Sequence, residues 1–180
     1  MLTCRWSIAA CVALSLIAVP VRADAPVRFG PSDARSAFFI AKSENRNQVH
    51  YAVRLDSRCM PYGERPVFPY WRELERAPDT TSLLTALEEP AYGIARQDVA
   101  SREGTGIVRL TLRALPSRPL VIETTRRGGG CSAVASLRIA GVTAQLTRVF
   151  VQLKWPFGVD HAVLSGLAEG GRAVTEKVKP

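Results

Sequence analysis

Residues 42–47 (KSENRN) set an ammonium, a hydroxyl and two carboxamides between an apolar run, 37–41, and an alternating run, 48–55. Lys42, Ser43, Asn45 and Asn47 are the types that hold an anionic or hydroxyl-bearing ligand when they converge at a sheet rim or barrel mouth. The same residues make turns. Asn tolerates left-handed backbone, and both Asn and Ser bond their own backbone two residues on. The segment is therefore either a site or a hairpin turn, and its position at a strand end suits both.

Catalytic chemistry is harder to assemble. Ser43, His50 and Asp56 make a triad on paper, but nucleophilic catalysis needs a base beside the hydroxyl and a group that orients the base. His50 stands opposite the apolar face of its run, and no GxSxG elbow presents a serine. His161, in GVDHAVLSG, is equally isolated. Carboxylate pairs of the glycosidase kind are defined in space rather than in sequence, and Glu73, Glu75, Glu88 and Glu89 read as surface charges. No catalytic residue is assigned; a hydrolase using carboxylates or His50 stands as an alternative to binding. No cofactor is implied and no metal set is visible, since His50 and His161 lie at no ligand spacing from a cysteine. At 126–130, RRGGG could form an anion-binding nest, but without a following helix or a GKS/GKT sequence it reads as a hairpin turn. The aromatics Phe68, Tyr70, Trp71 and Tyr92 pack in a core or line a ligand cavity, where Tyr and Trp keep a polar handle.

What must position these groups follows from the rest of the chain. Residues 1–23 carry a positive start (Arg5), an apolar run at 8–19 and a Val-Arg-Ala end, the three parts of a secretory leader. The apolar run is shorter than the roughly 20 residues that span a bilayer. The expected mature chain has no transmembrane segment and belongs in the periplasm or outside the cell. Of the four cysteines, Cys4 and Cys11 leave with the leader. Cys59 and Cys131 then read as one disulfide in an oxidising compartment. Closing that interval stabilises a fold by about 4 kcal/mol on the chain-entropy model. The leader removes two of the 24 basic residues, leaving 22 against 16 acidic. The arginines are scattered, without the block that marks a nucleic-acid arm.

Residues 24–35 form an aperiodic lead-in. From Ser36, short β-type runs alternate with turn signals: 37–41, 48–55, 66–74, 92–100, 107–114, 120–125, 133–139, 142–154 and 159–167. In 48–55, Val49, Tyr51, Val53 and Leu55 share one face; in 107–113, Val108, Leu110 and Leu112 do. Period two is the signature of half-buried strands. One helix is predicted over 81–89, with Leu83, Leu84 and Leu87 on one side and Pro90 as its stop. Residues 169–180 read as a polar, frayed tail. About nine strands and one helix predict a single all-β domain at 36–168. Its architecture is expected to be an antiparallel meander closing into a barrel that protects its edges, or else a two-sheet sandwich.

In residues 38–56 (FFIAKSENRNQVHYAVRLD), 69–76 (PYWRELER), 90–97 (PAYGIARQ), 143–152 (TAQLTRVFVQ) and 159–166 (VDHAVLSG), the chain resembles a family of short exported bacterial domains of unknown function. Lys42, Ser43, Asn45 and Asn47 match the family pattern, as do Tyr70-Trp71, Tyr92-Gly93 and Arg148. The cysteine pair and His161, which stands where an aromatic is expected, depart from it. The resemblance implies no activity or ligand. The combined expectation is an exported β-domain that binds a small or polymeric, partly anionic ligand through Lys42, Ser43, Asn45, Asn47 and Arg148, with Tyr70, Trp71 and Tyr92 lining the cavity. A structural or protein-interaction module of the cell envelope is the alternative. The expected partner is a small molecule or envelope component rather than nucleic acid.

Overall fold

Where the sequence alternates, the chain is extended. The computed structural model describes residues 34–75, 80–154 and 158–179. The predicted leader and nearly all of the lead-in lie outside them. The first limb is β1 (Ala34–Lys42), β2 (Gln48–Arg54), β3 (Val67–Glu73) and β4 (Thr80–Leu83). A single helical turn, α1 (Glu89–Tyr92), leads into the second limb, which consists of β5 (Ile94–Arg102), β6 (Thr105–Leu112), β7 (Leu120–Arg127) and β8 (Gly130–Ile139). Then come β9 (Val142–Lys154), β10 (Gly158–Leu167) and β11 (Ala173–Val178).

Three of the hairpins turn on two residues with positive φ at both: Glu103-Gly104, Gly128-Gly129 and Ala140-Gly141. That backbone matches the right-handed twist of the flanking strands and needs a residue that tolerates left-handed φ. RRGGG is thus a hairpin turn. The Arg126 guanidinium donates to the Ser57 carbonyl, and Arg35 Nε donates to the Cys131 carbonyl.

β9 is the junction of the molecule. Its residues 142–145 pair antiparallel with β8, residues 148–151 run parallel to β1, and β10 pairs along 145–154 on the other edge. Strands β1 and β8 therefore share one edge of β9 end to end, and two four-stranded limbs fork from it. Both limbs feed one core: Phe38, Ile40, Val49, Tyr51 and Val53 from the first, Val108, Leu110, Leu120, Ile122 and Ile139 from the second, with Leu146, Val149 and Leu164 between them. Fully buried Tyr51 satisfies its hydroxyl by donating to the Tyr92 carbonyl at 2.6 Å.

This architecture corrects the expectation in four places. The sheet is mixed rather than purely antiparallel, because the β1–β9 seam is parallel, and the backbone ladder does not close: β4 and β5 end it. The helix expected over 81–89 is displaced. Thr80–Leu83 are strand residues paired to β3, and the helical turn begins at Glu89 with Pro90 in its first turn, where proline's fixed φ is favourable. Leu83 and Leu87 are exposed, and only Leu84 packs on the core. The residues expected as a frayed tail contain β11, paired with β10 from Ala162 to Leu167. Val174 is buried there, and Glu176 makes a bidentate pair with Arg118 at 2.7 and 2.9 Å while accepting the Ala140 N–H. Finally, strand structure begins at Ala34, inside the predicted lead-in.

One end of the core is sealed. Cys59 and Cys131 are joined, tying the loop at 55–66 to the start of β8. Buried Thr124 donates to the Cys59 carbonyl at 2.9 Å. Pro61 lies so close to Gly106 that a Cβ there would sit 2.2 Å from its ring, so only glycine fits. Cys59 itself has a φ of 67°, a left-handed backbone that persists where the surroundings over-determine it.

Candidate functional site

The opposite end carries residues 42–47. Three of their side-chain oxygens are spent on the protein's own backbone. Ser43 N–H donates to the Val151 carbonyl, and its hydroxyl accepts the Leu153 N–H at 3.1 Å, so serine fastens the end of β1 to β9. Asn45 Oδ1 accepts the Asn47 N–H, an Asx turn. Asn47 Oδ1 accepts the N–H groups of Leu74 and Glu75, bracing the exit of β3. These three residues build the rim.

Inside that rim lies an open cleft of about 420 Å³ that brings together Lys42, Asn45, Trp71, Glu73, Ser82 and Glu88. Lys42 Nζ sits 5.1 Å from the centre of the Trp71 ring, and the Tyr92 ring meets Trp71 edge-on at 5.4 Å. The Glu73 carboxylate accepts the Ser82 hydroxyl at 3.1 Å. Glu88 is held by Thr85, three residues earlier, which donates both its N–H (2.8 Å) and its hydroxyl (2.9 Å) to one carboxylate oxygen. Burial works against the Glu88 charge. The Thr85 donors, the Trp71 indole and Lys42 outweigh it and hold the carboxyl below its ordinary value. Burial raises the Tyr92 phenol, with the Glu44 and Glu88 carboxylates adding to the effect.

Trp71 is the exceptional group. It is 8% exposed, and its Nε1–H makes no hydrogen bond of normal geometry. A buried donor held in poor geometry recovers only part of what a missing partner costs, about 1–3 kcal/mol. The Glu88 carboxylate, on the cleft wall, is the acceptor near that N–H, and the indole donor helps hold its pKa low, which puts the N–H on the cleft side.

The other expected residues lie elsewhere. Successive strand residues face opposite sides, so Tyr70 leaves the sheet on the face away from Trp71. There it stacks with His50 at 5.6 Å, and His50 stacks in turn on Phe39 at 5.4 Å. Arg148 pairs in register with Phe39 and lays its guanidinium over Phe150. Tyr70 and Arg148 are therefore not brought to the cleft, whereas Lys42, Asn45, Asn47, Trp71 and Tyr92 are gathered in or against it.

Nor do Ser43, His50 and Asp56 meet. The His50 ring nitrogens are partnered by Ser36 Oγ (3.1 Å) and Gln48 Oε1 (2.9 Å), and burial, with Arg72 adding, lowers its pKa to about 4. Asp56 accepts the N–H groups of Arg58 and Met60 at the sealed end. The residues the sequence reading passed over are Glu73, Glu88, Ser82 and Thr85. A signal was available in the Thr85-x-x-Glu88 spacing, which is that of a capping box.

Among the described residues no helix is long and apolar enough to cross a membrane. The fold and site thus define a disulfide-tied, all-β domain with a polar cleft at its unsealed end. The chain belongs to the DUF4833 family, a domain of unknown function, which matches residues 38–177. No curated protein and no solved structure matches it.

Proposed function

We propose that the protein is an exported binding domain whose cleft takes a hydroxyl-rich ligand, a saccharide or a segment of a glycan. The observation that carries this reading is the buried Trp71 Nε1–H on the cleft wall, which makes no hydrogen bond of good geometry and has the Glu88 carboxylate as its near acceptor. A ligand oxygen that accepts it in good geometry improves on that contact and frees Glu88 to accept a ligand hydroxyl. Sugar hydroxyls donate and accept at once, and the cleft offers both partners: carboxylates on Glu73 and Glu88, an ammonium on Lys42 and an amide on Asn45. Glu73, Glu75 and Glu88 against one lysine shift the expected ligand from the partly anionic one toward neutral or amino-bearing sugars.

The disulfide and the leader-like start support export. The Gln97 side chain supports a nearly closed barrel over a sandwich: it accepts the Val67 N–H and donates to the Val67 carbonyl, clasping β5 to β3 across the gap in the ladder. Binding is favoured over hydrolysis because a general acid needs a raised pKa, whereas the Glu88 carboxyl is lowered and His50 faces away from the cleft. A second reading, an interaction module of the envelope, draws support from the internal use of the Ser43, Asn45 and Asn47 oxygens.

Calorimetric titration with glucose, N-acetylglucosamine, glucosamine and their short oligomers tests the proposal. The expected result is saturable binding by at least one sugar, weakened about tenfold in Trp71→Phe, which keeps a ring and removes the N–H at a cost of about 1.4 kcal/mol. If no saccharide binds, or Trp71→Phe binds equally well, the cleft is not a sugar site and the interaction-module reading takes over.

A further inference from the structure

Beyond Tyr92 lies a second cavity of about 250 Å³ with a different character. Its floor is sealed core: Ile40, Leu112, Val149 and Ala162, all buried. Around its mouth stand Leu115, Val151 and Leu153, half-buried, and Val159, exposed. A water molecule needs two to four polar partners to sit stably in a protein, and among the described residues this wall is made almost wholly of aliphatic side chains. Among the described residues, Lys179 is the one charged residue that lines it. Asp160 lies near Lys177 and Lys179 but is itself bonded to His161 Nδ1 at 2.6 Å.

From this geometry we infer that the cavity is a binding site for a single medium-length acyl chain ending in a carboxylate. The closed floor accepts a free methyl end, and the aliphatic wall removes the chain from water. Lys179 at the mouth pairs with the anionic head. A methylene takes up about the 30 Å³ of a water molecule, so the cavity holds roughly eight carbons, too few for a lipid with two long chains. The site shares the Tyr92 wall with the polar cleft but none of its carboxylates, so it stands whether or not the cleft binds sugar.

The test is a chain-length series by calorimetry on the purified protein: hexanoate, octanoate, decanoate and dodecanoate, each below its micelle concentration, with octanol as the headless control. Each added methylene is expected to tighten binding roughly fourfold until the cavity is full, near eight to ten carbons, after which affinity levels off. Lys179→Ala should weaken octanoate several-fold and leave octanol unchanged. Ala162→Phe, which fills the floor, should abolish binding. Ala114→Trp, on the exposed turn at the mouth, should do the same without touching the core, which keeps the result readable if the first variant folds poorly. No octanoate binding by the wild-type protein would overturn the inference. Affinity that keeps rising through dodecanoate would do so too, as would undiminished binding in Ala114→Trp.

Discussion

The two ends of the β1–β2 hairpin face the same task, closing the core where two limbs diverge, and they do it by opposite means. At the Cys59 end the closure is covalent and close-packed: a disulfide, a proline ring against a glycine, and a buried threonine bonded to the Cys59 carbonyl. At the Lys42 end closure is polar and partial. Ser43, Asn45 and Asn47 bond backbone groups, while a lysine, several carboxylates and a poorly bonded indole N–H surround open space. One end is optimised for holding the chain. The other keeps a poorly satisfied buried donor beside open space, which folding alone does not favour.

The strongest way to break this contrast is to cut the covalent tie. A Cys59→Ser, Cys131→Ser double variant should lose about 4 kcal/mol of unfolding free energy, read from urea melts. The cleft end should survive, so ligand affinity measured without denaturant stays at the wild-type value. A loss of affinity equal to the loss of stability would show that the two ends are not separable.

A smaller effect is expected at the open end. Asn47→Ala removes the acceptor for the Leu74 and Glu75 N–H groups and should cost about 1–2 kcal/mol. Unlike the cysteine variant, it should also weaken cleft binding, because the exit of β3 carries Trp71 and Glu73 toward the site.

Acid supplies the mildest perturbation. The Arg118 pair, then the Ala140 N–H, hold the Glu176 pKa at about 2 against an ordinary 4.5. A lowered carboxylate binds fewer protons in the folded state, so its stabilisation is complete above pH 4.5 and fades as pH falls toward 2. Amide protection factors along β11 should drop across that window in the wild type and be low and flat in Glu176→Gln. The disulfide should keep the far end protected throughout.

Much of this was legible in the sequence because it is local. Alternation around Val49–Val53 and Val108–Leu112 announced half-buried strands, and the glycine run at 128–130 announced a tight hairpin. The cysteine pairing followed from the two that an expected leader leaves behind. What escaped depends on distant partners. β11 is too polar to be recognised alone and becomes a strand because Val174 finds the core and Glu176 finds Arg118. Thr80–Leu83 took the edge of β3 rather than a helix. In the site, Tyr70 and Trp71 look equivalent in sequence, yet strand parity sends them to opposite faces. Glu73 and Glu88 read as solvated charges because nothing local says that β4 and the turn before α1 will fold over the same indole.

The fork at β9 carries a kinetic consequence. Phe39 cannot complete its edge until Arg148 has arrived, so the first strand made waits for one of the last. Such long-range pairing raises contact order and slows folding. On the export reading proposed above, such a delay would keep the chain open during its passage through a membrane, with the step that commits it to the native state coming late.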